Sequence, residues 1–300
     1  METVPTLNSI FKYKRNKLYE GLKGNKATSS CSTLVGIEVE LEEVQIKHKL
    51  SGTWKEVADG SLKIQGKEFV SIPIKHKYIQ VELERLFNSF EAKSSSRCSV
   101  HVHLNVRDFT GEELTKFLIL YMIFEKSLFK FSGNRWKNNY CIPLYSAPSL
   151  VSQFISEPFT KWYKYTALNL CPIWGGESKK YGTVEFRHME GCTDPNKILE
   201  WVNIIVLLKI AAKKISLSDI AKYLVTMNTS SAYWWLAEEV FGKWSHYITN
   251  QKTFKDDVES CITQTKSIFL FGKKPITFTI NSNINTIDSN TKPFFTQGEF

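Results

Sequence analysis

The chain of 300 residues has no C-x-x-C pair, and its six cysteines, Cys31, Cys98, Cys141, Cys171, Cys192 and Cys261, are scattered. That usage is unlike a zinc ribbon or a secreted disulfide framework, and reduced thiols in a cytoplasm fit it. Long apolar runs are also missing. Phe117 to Phe124 meets Glu125 and Lys126, while Ile198 to Ile210 contains Glu200 and Lys209, so neither stretch spans a bilayer. Lys12, Lys14, Arg15 and Lys17 lack the apolar segment that follows the basic end of a secretory signal. There is no internal repeat, no G-x-x-x-x-G-K-[ST] loop and no protein-kinase signature, so the familiar phosphate cradles are excluded.

What is present is a globular composition. Hydrophobic residues make up 42% and aromatic residues 13%, too many for a solvating coil. Lys and Arg exceed Asp and Glu by 39 to 30, a formal charge of +9. The excess suits an anionic partner, whether nucleic acid, a nucleotide or an acidic substrate. Residues 1–30 read as a basic leader or linker ending in KATSSCST, residues 31–270 as the folded domain, and residues 271–300 as an Asn/Thr-rich tail without pattern.

Period-two alternation predicts a strand in VGIEVELEEV, with Ile37, Val39 and Leu41 on one face and Glu38, Glu40 and Glu42 on the other. ADGSLKIQGKEFVSIP reads as turn, strand, turn, strand, ending at Pro73. A helix is expected from about His76 to Phe90 with Ile79, Leu83, Leu86 and Phe90 on one stripe. CSVHVHLNV, YTALNL and YGTVEFRHME read as further strands, and a long apolar helix from about Gly111 to Phe131 is expected to pack on the sheet. Asp194-Pro195 supplies a favoured N-cap and first helical residue for ILEWVNIIVLLKIAAK, a core helix. Helices near 218–227, 232–247 and 254–269 follow.

Three strands thus carry same-face pairs: Glu38 with Glu40, His101 with His103, and Glu185 with Arg187. Such pairs project in parallel about 7 Å apart, and three in one sheet would make a polar wall that Glu68 could join. Each pair alone is equally the solvated face of an antiparallel strand. The carboxylates repel one another unless a cation sits among them, and hard oxygens suit Mg²⁺ or Mn²⁺ better than zinc. With Arg187 close by to neutralise a phosphoryl group, the wall resembles a nucleoside-triphosphate site. A cupin-type metal strand wants Glu four or five residues past the second His, where this chain has Arg107 and Asp108.

Taken in order, GIEVELE (36–42), DGSLKIQGKEFVSIP (59–73), CSVHVHLNV (98–106), YTALNL (165–170) and GTVEFRHMEGCTDPNKILEW (182–201) resemble the amidoligase family, of the carboxylate-amine ligase superfamily that includes glutamine synthetase and glutamate-cysteine ligase. The resemblance covers about Gly36 to Ala212. It implies an α+β fold like the glutamine synthetase catalytic domain: a curved antiparallel sheet with a polar concave face holding Mg-ATP and helices packed outside. It also implies a reaction in which a carboxylate takes the γ-phosphate of ATP and an amine displaces phosphate from the acyl phosphate to leave an amide. Carried onto this chain, Glu38, Glu40 and Glu185 would be metal ligands and Glu68 a metal or substrate ligand, with Glu185 and Arg187 catalytic. His101 and His103 would meet nucleotide or metal, and Lys164 and Asn169 would bind substrate. Lys164 stands where family members often carry Arg, which exchanges a bidentate fork for a point charge. CPIWGGESKKY (171–181) is a lid or a surface excursion, and Cys98 and Cys192 read as buried small residues. The rival expectation is a catalytically inactive nucleic-acid or anion-binding module; a ligase acting on a nucleic-acid- or peptide-linked carboxylate recruited by the basic leader combines both.

Overall fold

The longest strand, β1 (Leu34–Ile46), organises the molecule because its alternation gives it two unlike faces: Val35, Ile37, Val39 and Leu41 are fully buried in the core, and Gly36, Glu38 and Glu40 lie opposite. The structure, a computed structural model, describes residues 4–14, 33–63, 65–133, 135–175, 179–226 and 230–269. Within them an antiparallel sheet of eight strands forms in the order β2 (Trp54–Val57), β3 (Lys67–Ser71), β1, β6 (Ser99–Asn105), β8 (Thr183–Glu190) and β7 (Leu168–Asn169). The short β4 (Ile74–Lys75) and β5 (Phe90–Lys93) also pair with β1, and the sheet is not closed. β1 reaches β5 through a register shift between Glu42 and Gln45, where Glu43 takes a positive φ of 53°.

The apolar face of the sheet is covered by α3 (Gly111–Ser132) and α6 (Pro195–Lys214), which pack on each other and on β8 and β6. Both start where the sequence says they should. Thr110 and Glu113 form a reciprocal capping box for α3, and Asp194 accepts the Asn196 amide ahead of Pro195. Asp194→Ala is therefore expected to lower stability by about 1 kcal/mol, read as a reduced Tm in thermal unfolding. The remaining helices are α1 (Leu7–Phe11), α2 (Ile79–Phe87), α4 (Pro148–Ser156), α5 (Cys171–Trp174), α7 (Leu217–Thr226), α8 (Ser230–Phe241), α9 (Ser245–Thr249) and α10 (Phe254–Phe269).

Several expectations need correction. The start of the supposed leader belongs to the domain, since Leu7, Phe11 and Tyr13 are buried in the core and Tyr13 Oη donates to the Ile173 carbonyl at 2.8 Å. Three buried side chains at 7, 11 and 13 outweigh Lys12 between them and Lys14 beside them. Residues 15–30 of the leader, residues 31 and 32 with Cys31, and the tail 271–300 lie outside the described residues. No strand forms at Leu62 and Lys63, of which Leu62 is a bend following the turn at Gly60 and Ser61; β2 supplies the hairpin partner of β3 instead. Phe90 opens β5 and stacks on Phe69 at 4.5 Å rather than extending the α2 stripe. The helix expected over 232–247 breaks at Gly242, whose φ is 53°. No described helix is long and apolar enough to cross a membrane.

Candidate functional site

Pairing across the sheet places the polar-face residues in register. Glu38 lies opposite His101, His103 opposite Glu185, Asn169 opposite Glu185, and Glu40 opposite Glu68. The wall expected from alternation therefore exists as a single surface. Between Val100–Met189 and Val102–Phe186 the register shifts, so that Arg187 and His188 of β8 together face His101 of β6. A bulge of this kind re-aims side chains: His188 goes into the core against Tyr121, Phe129 and Trp201, while Arg187 stays on the polar side beside Glu185.

One atom of each of Glu38, His101 and Glu185 converges within 4.8 Å. His101 Nδ1 is 3.2 Å from Glu38 Oε2 and 3.5 Å from Glu185 Oε1, and His103 Nε2 is 3.3 Å from Glu38 Oε1. Hydrogen bonding behind the wall fixes the imidazole. Ser99 Oγ must donate to the carboxylate Glu40 Oε2, at 2.6 Å, so at its 2.9 Å contact with His101 Nε2 the ring nitrogen is the donor. Nδ1 is then the atom that faces two carboxylates. A bare lone pair there would be repelled, so the position requires a proton on Nδ1 or a cation among the three groups. This is the outer-shell arrangement that orients metal-bound histidines.

Burial raises the Glu38 carboxyl, but hydrogen bonds from His101 and His103 prevail and hold it well below the usual carboxylate range. Burial acts the same way on Glu185, where the charges of Arg187, His103 and His101 win and lower it. For His103 burial is outweighed by Glu38 and Glu185, which raise it. Glu185 is further held by Asn169, whose Nδ2 donates to Oε2 at 2.7 Å while its Oδ1 accepts the Cys171 amide at 2.9 Å. Arg187 donates to Glu185 Oε1 through Nη1 and to the Tyr140 carbonyl through Nε, at 3.0 Å; its Nη2 has no hydrogen-bond partner among the described residues.

The expected metal set is thus redistributed. Glu38 and Glu185 converge as expected, and His101 joins them as the third donor. Glu40 is turned to Ser99, and Glu68 faces Glu40 from β3, outside the converging triad. The three groups offer two carboxylates and one imidazole, a mixed oxygen and nitrogen set that would suit Mn²⁺ better than Mg²⁺. Asn169, expected to bind substrate, is buried and uses both ends of its amide on Glu185 and the backbone, so it positions the carboxylate. Lys164 stands over the Tyr165 ring at 4.9 Å, with Arg187 at 5.9 Å from the same ring, so it flanks the arginine rather than the triad.

Glu68 is pushed up to about 7 by burial, then by the charges of Glu38, Glu40, Asp59 and Glu185. The folded chain therefore holds this proton to about neutral pH while the unfolded chain releases it near 4.5, so stability falls across that window and stays reduced above it. Glu68→Gln in metal-chelated protein is expected to raise Tm at about pH 8 and leave it unchanged near pH 4. Equal Tm shifts at both pH values would show that Glu68 carries no strained charge.

Sequence reasoning missed Ser99 and Thr183, although each sits two residues before a site residue on the same face; Thr183 Oγ1 lies 3.1 Å from His103 Nδ1. It also missed Arg135, a buried guanidinium that donates to the carbonyls of Arg187 and Met189 at 2.9 and 3.4 Å and whose Nε has no partner. Arg135 opens a single 3₁₀ turn, Arg135–Lys137, too short for a sequence pattern to mark it. The segment from 171 opens with α5, whose four residues are buried, and Tyr181 and Gly182 amides return to the Pro172 carbonyl, so its ends are anchored. No family model matches the sequence, and no curated protein matches it.

Proposed function

We propose that the protein is an ATP-dependent carboxylate-amine ligase working through an acyl phosphate. The observation that carries this reading is the convergence of Glu38, His101 Nδ1 and Glu185 Oε1 on one polar sheet face, with Arg187 alongside and its Nη2 still available. A free carboxylate is a poor electrophile because its leaving group would be oxide; transfer of a phosphoryl group to it supplies a good one. Glu38, His101 and Glu185 would hold a divalent cation, Mg²⁺ or Mn²⁺, which would screen repulsion between the carboxylate and the polyphosphate of ATP. Arg187, oriented by the Tyr140 carbonyl and Glu185, would neutralise charge on the phosphoryl group in transfer. Arg135 adds a second cation at the same end of β8. The sheet with its polar face and helix-covered back supports a glutamine synthetase-like arrangement, and the five described cysteines, which form no disulfide with one another, are in keeping with a cytoplasmic location.

The test is release of ADP and inorganic phosphate from ATP with Mn²⁺ or Mg²⁺, in the presence of carboxylates and amines. Release of pyrophosphate alone would replace the acyl phosphate by an adenylate. Binding of metal and ATP with no release for any pair would favour the inactive anion-binding module.

A further inference from the structure

Beside the triad, the same sheet face opens into a cavity of about 180 Å³. It exists because of Gly36: this polar-face position of β1, opposite His103, has no side chain where Glu38 and Glu40 have long ones. Glu38 and His103 form its near end, Val70 and Leu34 line its flanks, and Arg107 with Tyr181 borders its far end. Arg107 has three of its five N–H donors engaged, two on the Tyr181 carbonyl at 2.9 and 2.6 Å and one on the Lys14 carbonyl at 3.1 Å. Among the described residues no carboxylate pairs with it, so within them the far end presents a positive charge held in place by backbone carbonyls.

The cavity is smaller than the roughly 300–1,000 Å³ of sites that enclose larger ligands. Its charge is of the wrong kind for a neutral nucleobase and the right kind for an anion. The far end also has no carboxylate to pair an ammonium group among the described residues. Among the described lining residues Glu38 is the only carboxylate, and it stands at the near end between two imidazoles. Asn105 Oδ1 accepts the Arg107 amide, and Ser71 Oγ accepts the Ile37 amide.

Building on the ligase reading, we infer that this cavity takes the acid substrate, and that the acid is a small dianion without an ammonium group: its reactive carboxylate lies at His103, beside the cation that Glu38, His101 and Glu185 would hold, and its second anionic group lies at Arg107. The reactive carboxylate oxygen attacks the γ-phosphorus of ATP, the bond to the bridging oxygen breaks, and ADP leaves. An amine nitrogen then attacks the acyl carbon, the acyl–oxygen bond breaks, inorganic phosphate leaves, and the nitrogen loses a proton.

The experiment uses the full chain with succinate, glutarate and adipate against L-glutamate and butyrate, following binding by calorimetry with Mn²⁺ and without ATP, and turnover with ATP, Mn²⁺ and hydroxylamine as the amine. At least one dicarboxylate is expected to bind and turn over, with L-glutamate and butyrate at least about tenfold weaker. Arg107→Gln and Gly36→Val should each weaken dicarboxylate binding about tenfold and leave ATP affinity unchanged, and Arg107→Lys should restore part of the loss. Gly36→Val fills the cavity without touching the contacts Arg107 makes to Tyr181 and Lys14, so it keeps the test independent of that anchor. L-glutamate equal to the dicarboxylates, variants that weaken ATP instead, or no dicarboxylate binding would each overturn the inference. Dicarboxylate binding that the two variants abolish, with no ATP turnover in any mixture, would uphold the cavity and remove the ligase reading.

Discussion

Glu185→Gln is expected to reduce ATP-dependent phosphate release by on the order of 10²- to 10³-fold, about 3–4 kcal/mol of transition-state stabilisation, with Arg187→Ala giving a similar loss. Glu185 unites the elements of the site: one oxygen takes Asn169, and the other meets both Arg187 and the atom triad with His101. The amide keeps the volume and one acceptor but withdraws the negative charge that a cation and the guanidinium both require. The variant is expected to keep its circular dichroism spectrum, because Glu185 projects from the face of β8 opposite the core residues Val184 and Phe186. Undiminished release in both variants would take Glu185 and Arg187 out of the site.

Trp201→Ala should act in the reverse manner, lowering stability by about 3–5 kcal/mol while leaving metal binding intact. Its ring is fully buried on α6 and meets Phe131, Phe186 and His188 with centroids 6.0, 6.1 and 5.4 Å away. Truncation leaves a void where sheet and helices join, and the expected fall in Tm is roughly 6–20 °C for a chain of this size. Because Trp201 Nε1 has no hydrogen-bond partner, Trp201→Phe should recover most of the loss. A fall in metal affinity at unchanged Tm would contradict the assignment of Trp201 to the core.

Much of the site was open to reading because alternation along a strand is a property of the backbone. Glu38 and Glu40, His101 and His103, and Glu185 and Arg187 had to share faces once their segments were strands, and Asp194-Pro195 had to start a helix. Phe90 misled for a related reason: a residue on the extension of a helical stripe is equally a buried residue of the next strand, and only contact with Phe69 separates the two. Arg135 and Tyr140 could not be reached, since one sits in a three-residue 3₁₀ turn and the other in the turn after it, and both act through backbone carbonyls, their own or those of β8.

From the sequence alone came the α+β class, the face on which each charged side chain lies, and the presence of acidic and imidazole groups on three separate strands. Tertiary structure decided which of them meet. Strand pairing set Glu38 against His101, a two-for-one bulge opposite His101 sent Arg187 and His188 to opposite sides, and the Ser99 bridge fixed which ring nitrogen faces the carboxylates. Register, bulges and hydrogen-bond direction arise from contacts between segments far apart in the chain, so no local period encodes them.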